Sequence, residues 1–343
     1  MSGPVTTADV SDVPVAGAPE PASVDLLAGR RANVGGVEVR RLLPQRGRRL
    51  VGAWCFADHM GPGPGTGVPG GTGLDVGPHP HMGLQTVTWL VEGEVLHRDS
   101  LGSEQVVRPG QLNLMTAGHG VSHAEEATGP SRSRVRGVQL WVAQPSATRD
   151  GPAAFEHHPE LPVVELGAAR ATVLVGGLAG ATSPARRDTD HVGAELDLGP
   201  GRSELPLDPA SEHALVVLEG RVRLGGPAIG PAIGPATGQA IGPATGPVVE
   251  PGTLAYLGTG RDELAVDADA RARVLLVGGV PFPEPVLMWW NYVGRDRAEL
   301  TAAHRSWTDD DGRFGRVRSP LSRLTAPPPP WAGPADGRPA PAG

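Results

Sequence analysis

Between Gly77 and Glu125 the chain carries four candidate metal ligands at a spacing that only extended strands turn into one site. The stretch opens with Gly77-Pro78-His79-Pro80-His81, runs through the alternating Gln85-Thr86-Val87-Thr88-Trp89-Leu90-Val91, and ends in Gly118-His119-Gly120-Val121-Ser122-His123-Ala124-Glu125. Side chains on a strand repeat every second residue, so His79 and His81 share a face, and so do His123 and Glu125. If the two segments are neighbouring strands, three imidazoles and one carboxylate converge, a donor set suited to Fe, Mn, Ni, Cu or Zn. A His-x-His pair also arises by chance on a polar strand, so spacing alone is only moderately specific.

The surrounding chain reads as turn-punctuated β structure. Val37 to Leu42 and Leu50 to Ala57 alternate as strands, and Val138 to Val142 closes the first series. Between them, turns recur at Glu92-Gly93-Glu94, Ser100-Leu101-Gly102-Ser103 and Arg108-Pro109-Gly110 with no helix between, the pattern of an all-β sandwich or barrel. The second half repeats the style in Ala171 to Val175, Glu195 to Leu198, His213 to Leu218, Arg221 to Leu224, Leu254 to Leu257 and Arg273 to Val277. Glu219-Gly220-Arg221 echoes the first Glu-Gly turn and Glu250-Pro251-Gly252 the Pro-Gly one, which implies an internal duplication. The histidine pair is not duplicated: His191 and His213 stand alone, so any cavity of the second half is expected to be metal-free.

A chain of 343 residues has room for two domains. We expect a disordered leader over 1–24, a metal-binding domain over 25–145, a linker over 146–165 and a second domain over 166–295. Its 50 Gly and 37 Pro are partly concentrated in an imperfect Gly-Pro-Ala-Ile/Thr repeat, 226–247, whose composition cannot bury a core and reads as an inserted loop. The segment 296–325 starts with a helix from Asp296 to Trp307 that puts Leu300, Ala303, His304 and Trp307 on one face, and 326–343 reads as a disordered Pro-rich tail.

Charge and cysteine exclude several classes. All 30 basic residues are Arg, against 37 acids, for a net charge of −7, and no basic stripe marks a nucleic-acid surface. The lone Cys55, between Trp54 and Phe56, rules out an intramolecular disulfide framework and reads as core. Met1 to Glu20 lacks the basic and apolar regions of a secretory signal, and no apolar run is long enough to span a bilayer. The expectation is a cytoplasmic monomer without membrane or direct nucleic-acid contacts. His59, His97, His157, His158, His191, His213 and His304 lack metal-site spacing and read as structural or surface residues.

Asp58-His59-Met60-Gly61-Pro62, Pro78-His79-Pro80-His81-x-Gly83, Glu92-Gly93-Glu94-x-x-His97-Arg98-Asp99-Ser100, Met115-Thr116-Ala117-Gly118, Ser122-His123-Ala124-Glu125, Gln139-Leu140-Trp141, Gly278-Gly279-x-Pro281 and Met288-Trp289-Trp290-Asn291 follow one another in this order. Together they strongly resemble the pirin family of the cupin superfamily, over roughly Val37 to Arg323. The resemblance implies two tandem cupin barrels (double-stranded β-helix, or jelly-roll) of which only the first keeps a metal, and a C-terminal helix that returns to the first domain, making Leu300 and Trp307 interdomain core. It implies His79, His81, His123 and Glu125 as ligands, choosing His123 over His119, for one divalent ion, usually Fe(II), with Mn, Cu, Ni, Co or Zn able to substitute. Three positions depart from the family: Gln85 where Glu is frequent, His119 where Arg or a small residue is common, and Met82 where Arg or another polar residue is common. Gln85 is expected behind the ligands, and His119 and Met82 near the cavity mouth.

Several pirins are similar in activity to quercetin 2,3-dioxygenase. The resemblance therefore implies a small aromatic substrate, a flavonol or related enediol, opened by O2 with loss of carbon monoxide. Four protein ligands on an octahedral ion leave two positions open, and a labile Glu125 is the candidate general base, the plainer reading being that it only balances charge. Other pirins act as metal-dependent, redox-sensitive interaction proteins for transcriptional regulators or metabolic enzymes, the alternative reading. A third is a bicupin whose substrate is not a flavonoid.

Overall fold

The computed structural model describes residues 24–61, 73–128, 135–225 and 246–331. Residues 1–23 of the expected leader, nearly all of the 226–247 repeat and the tail beyond Trp331 lie outside the described residues. Two β-sandwiches share one blueprint. The first pairs a seven-stranded sheet, in the spatial order 154–158, 112–116, 84–92, 136–143, 54–60, 37–43, 30–34, with a four-stranded sheet ordered 76–81, 121–127, 95–99, 104–107. The second repeats both orders with 25–28, 253–258, 212–219, 272–279, 191–198, 169–175, 163–166 and with 201–206, 263–268, 222–225, 248–249. The duplication read from the turn echoes is therefore a duplication of topology.

Each sandwich closes on its own apolar filling. Val39, Met60 and Leu90 of the first large sheet meet Val76, Val95 and Val107 of its small sheet, and Val173, Ala194 and Leu276 of the second meet Leu205, Leu264 and Val266. A further core lies between the two seven-stranded sheets, where Leu42, Trp54, Val87, Trp89 and Leu140 pack on Leu174, Val175, Val216, Leu254 and Leu275. Strands of these sheets bury both faces, which explains their near-continuous apolar runs. Polar ties cross the interface: Trp54 Nε1 donates to the carbonyls of Val192 (3.2 Å) and Gly278 (3.1 Å), and Trp89 Nε1 to Glu195 (3.2 Å).

Three expectations need correction. Residues 146–165 are not a bare linker, because Ala154–His158 pairs antiparallel with Leu112–Thr116 as the outer strand of the first sheet and Val163–Leu166 edges the second. In exchange, Asp25–Ala28, placed by the sequence with the first domain, pairs with Thr253–Tyr256 of the second. Edge strands are half-exposed and short, so they lack the apolar alternation that marks inner ones. The tail expected to be disordered from 326 is ordered to Trp331, whose indole donates to Thr301 Oγ1 (3.0 Å) and lies edge-on to Trp289.

The single helix among the described residues spans Arg297–Asp309. Asp296 caps it by accepting from the Glu299 N–H (2.9 Å), while Glu299 reaches back past the cap to accept from the Arg295 N–H (2.7 Å), so one donor of the first turn and one just before the cap are satisfied. Asp310 ends it in the left-handed region at φ 51°. Leu300, Ala303 and Trp307 are its buried residues, and they pack with Met82, Trp289, Trp290, Tyr292 and Phe314. Leu300 and Trp307 thus reach the first domain through Met82, within a cluster otherwise made of the C-terminal segment. No helix among the described residues is long and apolar enough to cross a membrane.

His59, 1 % exposed and without a partner for Nδ1 among the described residues, is pushed down to about 3, first by burial and then by Arg136 and Arg40. The unfolded chain protonates this imidazole near 6.5 and the folded chain resists, so stability falls as pH drops from about 6.5 toward 3. Urea midpoints measured between pH 7 and 4 are expected to fall less steeply for His59→Gln, by up to about 1.4 kcal/mol per pH unit. Identical slopes would show that His59 does not stay neutral.

Candidate metal centre

The strand Val76–His81 is an edge of the small sheet, which is why it tolerates Pro78 and Pro80: the missing N–H groups face no inner partner. Its neighbour in the sheet is Val121–Ala127, in a register that sets His123 opposite His79 and Val121 opposite His81. The imidazoles of His79, His81 and His123 converge in the interior, with one ring nitrogen of each within 4.8 Å of the others. His79 is 6 % exposed, and His81 and His123 are 1 % exposed.

The outer nitrogen of each ring is fixed by a partner. His79 Nδ1 donates to the carbonyl of Gly77 (2.9 Å) and His81 Nδ1 to the carbonyl of Asn291 (2.9 Å). His123 Nδ1 meets His97 Nδ1 at 3.3 Å, and His97 Nε2 meets Asp99 Oδ2 at 3.1 Å. A carboxylate only accepts, so His97 carries its proton on Nε2 and accepts on Nδ1, which places the His123 proton on Nδ1. Asp99 is itself anchored, its Oδ1 accepting from the N–H groups of Leu101 and Ser103 (both 2.9 Å). Burial alone would raise the Asp99 carboxyl, but hydrogen bonds from His97 and Ser103 outweigh it and hold the group below the usual carboxylate range.

All three Nε2 lone pairs therefore point at one place. His81 Nε2 and His123 Nε2 stand 3.1 Å apart with no proton to share, since burial, reinforced by the other imidazoles, holds both rings well below their ordinary pKa. Burial likewise lowers His79 to about 4. Facing acceptors without a donor are costly in a dry interior, and a divalent cation removes the conflict. The residues fit a metal.

Glu125 lines the same cavity as the three histidines, although its carboxylate is not among the atoms that converge within 4.8 Å. A bulge between His123 and Glu125 shifts the register against Val76–His81, so Glu125 lies opposite Val76 there and opposite His97 on the other side. Burial raises its carboxyl to about 7. The cavity measures about 60 Å³. One wall is aromatic and charged, with Arg41 and Asp58 in a buried two-bond ion pair (2.9 and 2.7 Å) beside Phe56, which stacks on Trp141. Trp290, Asn291 and Leu324 of the C-terminal segment form another.

The three departures from the family pattern do not line this cavity. Gln85 is fully buried and donates to Thr116 Oγ1 (3.0 Å), away from the ligands. Met82 is buried in the helix cluster rather than at a mouth, and His119 is exposed, its carbonyl accepting from Arg313 Nε (3.0 Å). The Met82 carbonyl accepts from the Val293 N–H (3.1 Å), which ties this position to the same C-terminal segment. Conversely, His97, read as structural, is bonded to a candidate ligand, and Asn291 supplies the carbonyl that orients His81. The two-residue spacing of His97 and Asp99 on a strand held the same signal as His79 and His81. Nothing local in the sequence ties Asn291 to His81, 210 residues away.

The pirin family profile matches residues 36–142, and the profile of the pirin C-terminal cupin domain matches 194–315. The chain is 46% identical over 308 residues to a Pseudomonas aeruginosa protein named "Putative quercetin 2,3-dioxygenase PA1205", covering 89% of this chain and 90% of that one. This chain belongs to the pirin family. A Caulobacter vibrioides pirin-like protein is 34% identical over 299 residues, 85% of this chain and 93% of that one. Among solved structures, quercetin 2,3-dioxygenase from Acinetobacter baumannii superposes with a TM-score of 0.78 at 40% identity, covering 89% of this pirin and 95% of that chain.

In this pirin, His81→Ala is expected to lower the metal content of anaerobically purified protein sharply from about one ion per chain. Asp99→Asn leaves the shape intact but removes the charge that holds His97, and through it His123, in the productive tautomer. Zinc affinity measured by competition with a chelator is expected to fall roughly 10–100-fold. Unchanged affinity in Asp99→Asn would show that the chain of hydrogen bonds does not set the orientation of His123.

Proposed function

We propose that this pirin is a metal-dependent dioxygenase of the quercetin 2,3-dioxygenase type, holding one divalent ion, iron foremost, with His79, His81, His123 and Glu125. The convergence of three neutral, individually oriented imidazoles beside a buried carboxyl is the observation that carries this reading. A divalent ion bound there supplies Lewis-acid activation of a flavonol or related enediol and two coordination positions not filled by protein. Glu125, a buried carboxyl of the same cavity, accepts the substrate hydroxyl proton. The apolar surround of Val39, Met60, Leu74 and Val76 keeps water from competing for that proton. The overall reaction converts a flavonol and O2 into the ring-opened ester and carbon monoxide.

A cavity of about 60 Å³ holds a few water molecules and is smaller than a flavonol, so turnover requires the wall formed by Trp290, Asn291 and Leu324 to yield. The same closure favours a second reading, in which the centre turns nothing over and its oxidation state alters a surface read by a protein partner.

Iron-loaded protein given quercetin in air is expected to bleach the flavonol absorbance with carbon monoxide release. No bleaching with iron, manganese or copper would remove the dioxygenase reading and leave the interaction one. In Glu125→Gln we expect turnover to fall roughly 10²–10⁴-fold with most of the metal retained; parallel losses of metal and turnover would assign Glu125 as a ligand only.

A further inference from the structure

The second barrel repeats the topology of the first without its ligands. Its strands 201–206 and 263–268, the counterparts of 76–81 and 121–127, fill the interior with Leu205, Leu264 and Val266. It nevertheless has a cavity of about 280 Å³, placed instead at the strand ends around His191, His213 and Val280. The central strand Ala272–Gly279 finishes there in Gly278-Gly279, with His191 paired to Gly279 on one side and His213 to Gly278 on the other. A Cβ at Gly278 would come within 2.6 Å of His213 Cδ2, and one at Gly279 within 2.6 Å of the Asp190 carbonyl oxygen and 3.0 Å of His191 Cβ. Two glycines in sequence are what allow two buried imidazoles to flank this strand end.

His191 is 1 % exposed. Its Nδ1 lies 2.7 Å from Thr189 Oγ1, which can donate or accept, and 3.0 Å from the Thr189 carbonyl, which only accepts, so that nitrogen carries the proton and Nε2 is a bare acceptor with no partner among the described residues. Burial keeps the ring neutral, lowering it to about 4. Two donors of the lining meet its carboxylates: Ser211 Oγ donates to Asp208 (2.8 Å), and Arg187 pairs with Asp190 (3.2 Å). None reaches His191 Nε2, and a buried acceptor without a donor is disfavoured. We infer that the second barrel binds a small neutral hydroxylated molecule, one hydroxyl of which donates to His191 Nε2. The volume lies just under the roughly 300 Å³ at which pockets for drug-sized ligands begin, so the occupant is smaller than those. The site shares no lining residue with the metal centre and does not depend on the dioxygenase reading.

The probe is phloroglucinol, whose three hydroxyls sit too far apart on the ring to chelate, with 1,3,5-trifluorobenzene as the donor-free match. Zinc-loaded, ¹⁵N-labelled protein is titrated with each, following the imidazole nitrogens and the heat of binding. Phloroglucinol is expected to shift the His191 Nε2 resonance and to bind at least tenfold more weakly to His191→Phe. Val280→Trp, at a position 44% exposed that also lines the cavity, should block the mouth while the fold and metal content are kept. Equal affinity in wild type and His191→Phe, equal binding of the trifluoro compound, or no shift at millimolar phloroglucinol overturns the inference. A shift with propylammonium but not with phloroglucinol also overturns it, by assigning the cavity to cations.

Discussion

The structure depends on holding three imidazole lone pairs at one point inside a protein. Neutral rings in that arrangement repel, and each is free to relieve the strain by rotating or by moving its proton to the inner nitrogen. What prevents this is an acceptor behind every ring: the Gly77 carbonyl, the Asn291 carbonyl, and His97 backed by Asp99. Each acceptor comes from a different part of the fold. The first is local to the ligand strand, the third is the neighbouring strand, and the second arrives from beyond the second barrel. The centre is therefore a product of the assembled chain, and the first barrel alone does not contain it.

That dependence gives the C-terminal segment its purpose. Trp290, held at φ 54°, and Asn291 form the tight turn between Leu287–Trp289 and Tyr292–Gly294, and the turn aims the Asn291 carbonyl at His81. Downstream, the Leu324 N–H donates to Pro78 O (2.9 Å) on the otherwise free edge of the ligand strand, and Trp307 Nε1 donates to Leu324 O (2.8 Å). Gly77 is required where this strap crosses, since a Cβ there would stand 2.0 Å from the Ser322 carbonyl oxygen. The exchange of outer strands between the two large sheets, with the core between them, fixes the second barrel and thus the origin of this segment relative to the site.

The inner strands, the duplication and the ligand histidines were legible in the sequence because each leaves a local periodic trace. Val95-x-His97-x-Asp99 carries the same two-residue trace but no second histidine, so it reads as structural; only the cross-strand register to His123 and Glu125 reveals its place. The edge strands Ala154–His158 and Asp25–Ala28 left none. The first is half-exposed and the second largely exposed, both are short, and both are defined by partners far along the chain, which no window of sequence contains. Met82, Gln85 and His119 show the opposite failure. Proximity in sequence to His81 and His123 does not place a side chain in the cavity, because strand alternation and the turns at Gly83 and Gly118 send these three elsewhere.

The two barrels show what a β-sandwich does with the same interior under different side chains. In the first, a polar cluster occupies the space between the sheets and is satisfied on its outer side by oriented partners, leaving an inner place that fits a metal. In the second, Leu205, Leu264 and Val266 close that space, and the surviving polar feature retreats to the strand ends, where Gly278-Gly279 leaves room for His191 and His213. Trp54 joins the two solutions: it opens its strand of the first sheet as His191 opens its strand of the second, meets the His191 ring edge-on at 5.2 Å, and bonds the carbonyls of Val192 and Gly278. Trp54 thus lies between the two cavities, two residues from Phe56 in the wall of the metal centre, although the cavities share no lining residue.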